Sequence, residues 1–144
     1  MSSIIYITAG LNTVSSTLYN AVLYADLEIV ERSNHYFETS YVTAGRDATV
    51  SWGTVDFKFK NNRTYPIKIE AVAKNGINKI SILGIKEEKE YEIVIQSKVT
   101  SIIEQEIKYE NDYSIPYGEE EVEQQGHNGC TSKTYIIKKL KSFK

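Results

Sequence analysis

A change of hydrophobic period near residue 26 constrains this chain more than any other feature. Residues 15–25 place Leu18, Val22 and Ala25 at helical spacing, with Ala21 and Leu23 widening the apolar face. Ser15 or Ser16 is suited to cap the start of that helix, since a hydroxyl accepts from a first-turn amide. Asp26 stands at the exit, where a residue tolerant of left-handed geometry is wanted. A helix this apolar must be largely buried against a sheet.

From Leu27 onward the apolar residues recur at every second position. Residues 27–32 read as a strand leaving the helix. Val55, Phe57 and Phe59 alternate with Asp56, Lys58 and Lys60, the pattern of a strand with one wet face. Ile67, Ile69 and Ala71 repeat it, and Asn75-Gly76 is a two-residue hairpin signal before Lys79-Ile-Ser-Ile-Leu83. Tyr91, Ile93 and Ile95 form a further alternating segment. The expected class is α+β: one buried helix packed on a mainly antiparallel sheet, followed by a small all-β module.

The module is expected from a shift in composition near Ser97. Beyond it lie short alternating segments, the acidic run Glu119-Glu-Glu-Val-Glu123 and the glycines Gly118, Gly126 and Gly129. The expected division is 1–97 for the α+β unit and 98–144 for the β module, with the acidic run as a solvated strand face. Gly126 and Gly129 serve backbone geometry, and Cys130 reads as a partly buried residue of the last hairpin.

A net charge of −2 offers no electrostatic reason to bind nucleic acid or anionic lipid. No apolar run approaches the roughly 20 residues of a membrane span, so no membrane insertion is expected. A single cysteine, Cys130, excludes an internal disulfide and a metal site built from cysteine pairs. His35 and His127 are too far apart in sequence to form a local ligand motif, so neither metal nor cofactor is expected. The first ten residues are short, uncharged and followed at once by folded-looking sequence, unlike a secretory leader. Either the protein is cytosolic, or an upstream part carries the export signal. Tyrosine is unusually frequent, 11 of 144 residues, which suits half-buried sheet positions and wet binding faces alike.

Several segments share an order and spacing that are specific to one family. They are Val14-Ser-Ser-Thr-Leu-Tyr-Asn-Ala-Val-Leu, Leu27-Glu-Ile-Val-Glu-Arg, Asn34-His35, Gly45-Arg-Asp-Ala-Thr-Val50, Asp56-Phe-Lys-Phe-Lys-Asn61 and Tyr65-Pro-Ile67. Together, over residues 9–84, they resemble the VanW-like proteins, which are associated with vancomycin-resistance gene clusters and the Gram-positive envelope. The tail, with Pro116-Tyr-Gly-Glu-Glu-Glu-Val-Glu-Gln-Gln-Gly126, Gly129 and Thr134-Tyr135, resembles the end of a glycine-marked β module that commonly follows this domain. That module is similar to others proposed to bind N-acetylglucosamine-containing glycans at the cell surface. The resemblance also implies that a longer stretch usually precedes the point where this chain begins, so Met1 is expected to mark a truncated reading frame or a shortened piece.

The family's helix is led by a glycine-rich turn with a Cys-Gln pair shortly before Val-Ser-Ser. Here Asn12 stands where that Cys would be and Thr13 where the Gln would be. A thiol at a helix N-terminus, with a His on the next strand and an Asp beyond, is the arrangement of papain- and transglutaminase-like catalysis. An Asn amide is no nucleophile, so no enzymatic activity is expected. Ser33 likewise replaces a second His often seen beside the retained His35.

The resemblance places a candidate pocket at Asn12, Thr13, Ser15, His35, Arg46 and Asp47. Each has a plainer reading: His35 as a polar residue at a strand edge, Arg46 and Asp47 as a turn ion pair. Trp52 and Tyr65 suit either aromatic packing or stacking on sugar rings. Tyr113, Tyr117 and Tyr135 are the candidate glycan contacts of the second module, or else they close a thin sheet that lacks a core.

Three functions follow from different classes: a non-catalytic envelope module binding peptidoglycan or another wall glycan, a remnant with a structural or partner-docking role, and a wall hydrolase or transferase relative that has lost its nucleophile. The abrupt start also leads to the expectation of an exposed apolar surface and a homodimer.

Overall fold

The computed structural model describes residues 2–8, as backbone alone, and 10–140. Met1 and Ala9, which bear on the readings above, lie outside the described residues. The elements in chain order are β1 (Ser2–Thr8), α1 (Leu11–Tyr24), β2 (Glu28–Glu31), β3 (Lys58–Lys60), β4 (Ile67–Lys74), β5 (Ile77–Gly84), β6 (Tyr91–Ile103) and β7 (Gly129–Leu140). β5 lies between β1 and β4 in a three-stranded sheet, β2 pairs with β3, and β6 pairs with β7; every pairing is antiparallel. The class is α+β, as the change of period implies.

The helix begins at Leu11, before Ser15. Gly10 leads it at φ 127°, and the Gly10 carbonyl accepts from the amides of Thr13 and Val14, both at 3.1 Å. That backbone angle belongs to glycine, and no side chain caps this end. Ser15 and Ser16, expected as caps, lie inside the helix and are buried. Their hydroxyls are drawn away by a chain segment more than thirty residues downstream, described below. At the other end Asp26 does adopt left-handed geometry, with φ 56°.

Two apolar clusters flank the helix. Ala21, Val22 and Ala25 pack with Leu27, Ile80 and Ile82, so one face lies on the central strand β5. Tyr19 and Leu23 pack on Ala48, with Phe57 and Ile95 against them, so another face meets the loop before β3 and the β6–β7 ribbon. Phe57 meets the Tyr19 ring edge-on at 5.5 Å and stacks on Phe59 at 5.9 Å, which gives the alternating aromatics of residues 55–60 their buried side. Fully burying a valine such as Val22 contributes about 1.5–3 kcal/mol.

The hairpin at Asn75-Gly76 forms as its sequence implies. Both residues take positive φ, 53° and 74°, and residues 67–74 pair in unbroken register with 77–84. The second module departs from expectation. Instead of several short strands it is one long ribbon, β6 with β7, joined by residues 104–128, which hold no strand. The acidic run at 119–123 is solvated but belongs to that connection and not to a strand face. Ser97, where the composition shifts, lies within β6.

Candidate functional site

Of the residues that resemblance singles out, Asn12, Thr13, His35 and Asp47 come together where the start of α1 meets the loop between β2 and β3. Asp47 is the hub. It is buried, and its Oδ1 accepts from the Arg32 guanidinium at 2.8 Å. Its Oδ2 accepts from the His35 backbone amide at 2.6 Å and lies 2.8 Å from His35 Nδ1. Arg32 also donates through Nε to the Asp47 carbonyl at 2.7 Å and lies over the Tyr19 ring, 5.3 Å from its centre. Burial alone pushes the Asp47 carboxyl up, but the two hydrogen bonds from His35 and the Arg32 charge outweigh it. The carboxyl is held below the ordinary carboxylate range.

An ionised carboxylate only accepts hydrogen bonds, so Asp47 selects the tautomer of His35 with its proton on Nδ1. Nε2 is then free to accept, and the Tyr41 hydroxyl lies 3.0 Å from it. The result is a chain running Tyr41–His35–Asp47–Arg32.

A cavity of about 350 Å³ opens against this chain, lined by Gly10, Leu11, Asn12, Thr13, His35, Thr39, Tyr41 and Val50. Asn12, Thr13 and His35 thus share one wall-to-wall space, with Asp47 behind the histidine. Asn12 accepts the Val50 amide on its Oδ1 at 3.1 Å, which ties the helix start to the chain beyond Asp47. Ser15 and Arg46 are employed elsewhere. Ser15 Oγ donates to the Ala48 carbonyl at 2.6 Å, and Ser16 Oγ accepts the Ala48 amide at 3.0 Å. Arg46 reaches the middle of the helix, with Nε on Asn20 Oδ1 at 2.7 Å and a second nitrogen on the Tyr24 hydroxyl at 3.2 Å.

A second hollow of about 550 Å³ adjoins the first and shares Thr39 and Tyr41 with it. Residues 38–44 line it on one side and Ser97 and Val99 of β6 on the other. Tyr41, Thr39 and Arg32 were not found by reading the sequence. Arg32 is a strand-end charge like many others, and Tyr41 lies in an irregular loop where no period marks its direction.

The remaining aromatics are exposed. Trp52 and Tyr117 are fully in solvent and Tyr113 nearly so, while Tyr135 on β7 and Tyr65 are about half exposed. Trp52 therefore packs in no core. Among the described residues no three His, Cys, Asp or Glu side chains converge as a metal site, and no helix is long and apolar enough to cross a membrane.

Residues 4–83 match the family described as VanW like protein, and residues 94–140 match the G5 domain. The chain belongs to the VanW-like family, with a G5 domain, a cell-surface module, after it. The uncharacterized protein YoaR of Bacillus subtilis (strain 168) is 55% identical over 62 residues, which is 43% of this chain and 20% of YoaR. The chain thus matches about a fifth of that relative's length. No solved structure matches the chain.

Proposed function

We propose that this chain is a non-catalytic module of the bacterial cell envelope that holds peptidoglycan or a related wall glycan by binding alone. One observation carries the reading. The pocket keeps its histidine, aspartate and arginine in hydrogen-bonded order, yet the position that faces them at the helix start is Asn12, an amide whose oxygen is already engaged by Val50. An amide lacks the nucleophile that acyl transfer requires. With Oδ1 accepting from the chain, its NH2 is the group left to donate to a ligand carbonyl. Hydroxyl-bearing Thr39, Ser40, Tyr41, Thr43 and Ser97 line the adjoining hollow beside Glu38, chemistry that suits a polymer rich in hydroxyl and amide groups.

Soluble muropeptides and chitin oligomers, titrated into the isotope-labelled chain, test the reading. Expected are amide shifts at residues 10–13, 35–43 and 97–99, with the muropeptide unchanged in mass after long incubation. Silence at several millimolar, or a product peak absent from a heat-killed control, would overturn it.

A further inference from the structure

Asp47 orients His35, and the turn that carries Asp47 is gripped from two sides. On the helix side, Asn20 Nδ2 donates to the Arg46 carbonyl at 2.6 Å, while Ser15 and Ser16 hold Ala48. On the opposite side stands the ribbon. Thr134 Oγ1 of β7 donates to the Gly45 carbonyl at 3.0 Å, and Ser97 Oγ of β6 lies 2.9 Å from that same hydroxyl. No side chain separates strand from turn. A Cβ at Gly45 would lie 2.5 Å from Thr134 Oγ1 and 2.8 Å from Ser132 Oγ, and φ at Gly45 is +81°. Ile95 adds apolar contact with the cluster around Ala48, and Lys138 of β7 pairs with Asp26 at the far end of the helix at 2.5 Å.

We propose that the ribbon is a working part of the pocket: Thr134, by holding the Gly45 carbonyl, is a positioning residue for Asp47 and, through Asp47, for His35. The shared hollow points the same way, since one of its walls is β6 and the other is the loop that carries Tyr41. A turn fixed at Gly45 and Ala48 leaves Asp47 little freedom to turn its carboxylate away from Arg32 and His35. Release at Gly45 loosens one of those two anchors. The groups that face Asp47 are Arg32, the ring and amide of His35, and the Tyr19 phenol of α1. The proposal rests on the pocket being a ligand site, but its first test does not need a ligand.

That test follows the Asp47 carboxyl carbon and the His35 ring nitrogens by NMR across pH in the full chain and in Thr134→Val. Valine keeps the shape of threonine and removes the donor. Expected is an upward move of the Asp47 midpoint, toward the ordinary carboxylate value, with altered His35 ring shifts and restoration in Thr134→Ser. Unchanged Asp47 and His35 signals, alongside intact β6–β7 amide signals, would overturn the proposal. Should Thr134→Val fail to fold, Ser97→Ala, which strips the hydroxyl behind Thr134, is read in the same way.

A second arm titrates a disaccharide-tetrapeptide muropeptide. Loss of one hydroxyl-to-carbonyl bond is expected to weaken binding roughly fivefold. Equal affinity in both proteins would also count against the coupling. If the unaltered chain binds neither muropeptide nor chitin oligomer, the proposed function fails, and the pH titration still decides whether Thr134 positions Asp47.

Discussion

The Val50 amide donates to the side-chain oxygen of Asn12 at 3.1 Å, linking residues 38 positions apart in the chain. Position 12 is therefore a strut as well as a pocket wall. A cysteine there trades that strut for a thiol at the second residue of α1, where helix-terminal amides stabilise a thiolate. In Asn12→Cys with Cys130→Ser, the thiol is expected to titrate below the ~8.5 of a free cysteine. An iodoacetamide rate profile with its midpoint at or above that value would contradict the expectation.

Asp47→Asn removes the charge that Arg32 and His35 share. It leaves Arg32 half-buried without its carboxylate, so the loss is expected to be about 1–3 kcal/mol by urea unfolding. The pH dependence has a defined sign. The Asp47 carboxyl is depressed in the folded chain, so its contribution is complete above the ordinary carboxylate pKa and is lost as pH falls through the lower, folded value. The native chain should lose stability in that acid window more steeply than Asp47→Asn. Superimposable acid-unfolding curves would refute the linkage.

Asn20 is almost fully buried and bonds to Ser16, Arg46 and the Arg46 guanidinium. Asn20→Leu keeps the volume and takes away the donor to the Arg46 carbonyl and the acceptor of Arg46 Nε, leaving the guanidinium only its bond to Tyr24. Expected is a loss of about 2–3 kcal/mol, with a fall in melting temperature in scanning calorimetry. A variant as stable as the native chain would mean that this network contributes little.

Val99, Ile102 and Ile103 on β6 and Ile136, Ile137 and Leu140 on β7 are each more than a third exposed. Apolar surface of this kind on a two-stranded ribbon favours a partner, and a second copy is the simplest one. Light scattering at tens of micromolar should give a dimer mass. A clean monomer would remove that expectation.

The change of period, the left-handed exit at Asp26 and the Asn75-Gly76 hairpin were legible because each depends on neighbours in sequence. The helix start was not. Ser15 and Ser16 have the composition of a cap, but their hydroxyls bind Ala48, and only the folded chain brings that residue near. The same reason hid Tyr41 and Thr134, whose partners His35 and Gly45 lie across irregular chain or on another module. The cluster of Asn12, Thr13 and His35 was indicated by resemblance, whereas Arg46 and Ser15 came with it and serve the helix core instead.

The connection between β6 and β7 is solvated over nearly all of residues 104–128, while the strands it joins pair from Tyr91 with Leu140 up to Ile103 with Gly129. Covalent continuity and architectural continuity therefore part company here. A protease that cuts once inside this connection divides the polypeptide into two pieces, yet every ladder pairing and the Thr134 contact with Gly45 survive the cut. The nicked protein would run as two bands in denaturing gel and as one species in solution, with the pocket walls on the longer piece and Thr134 on the other still bonded to Gly45.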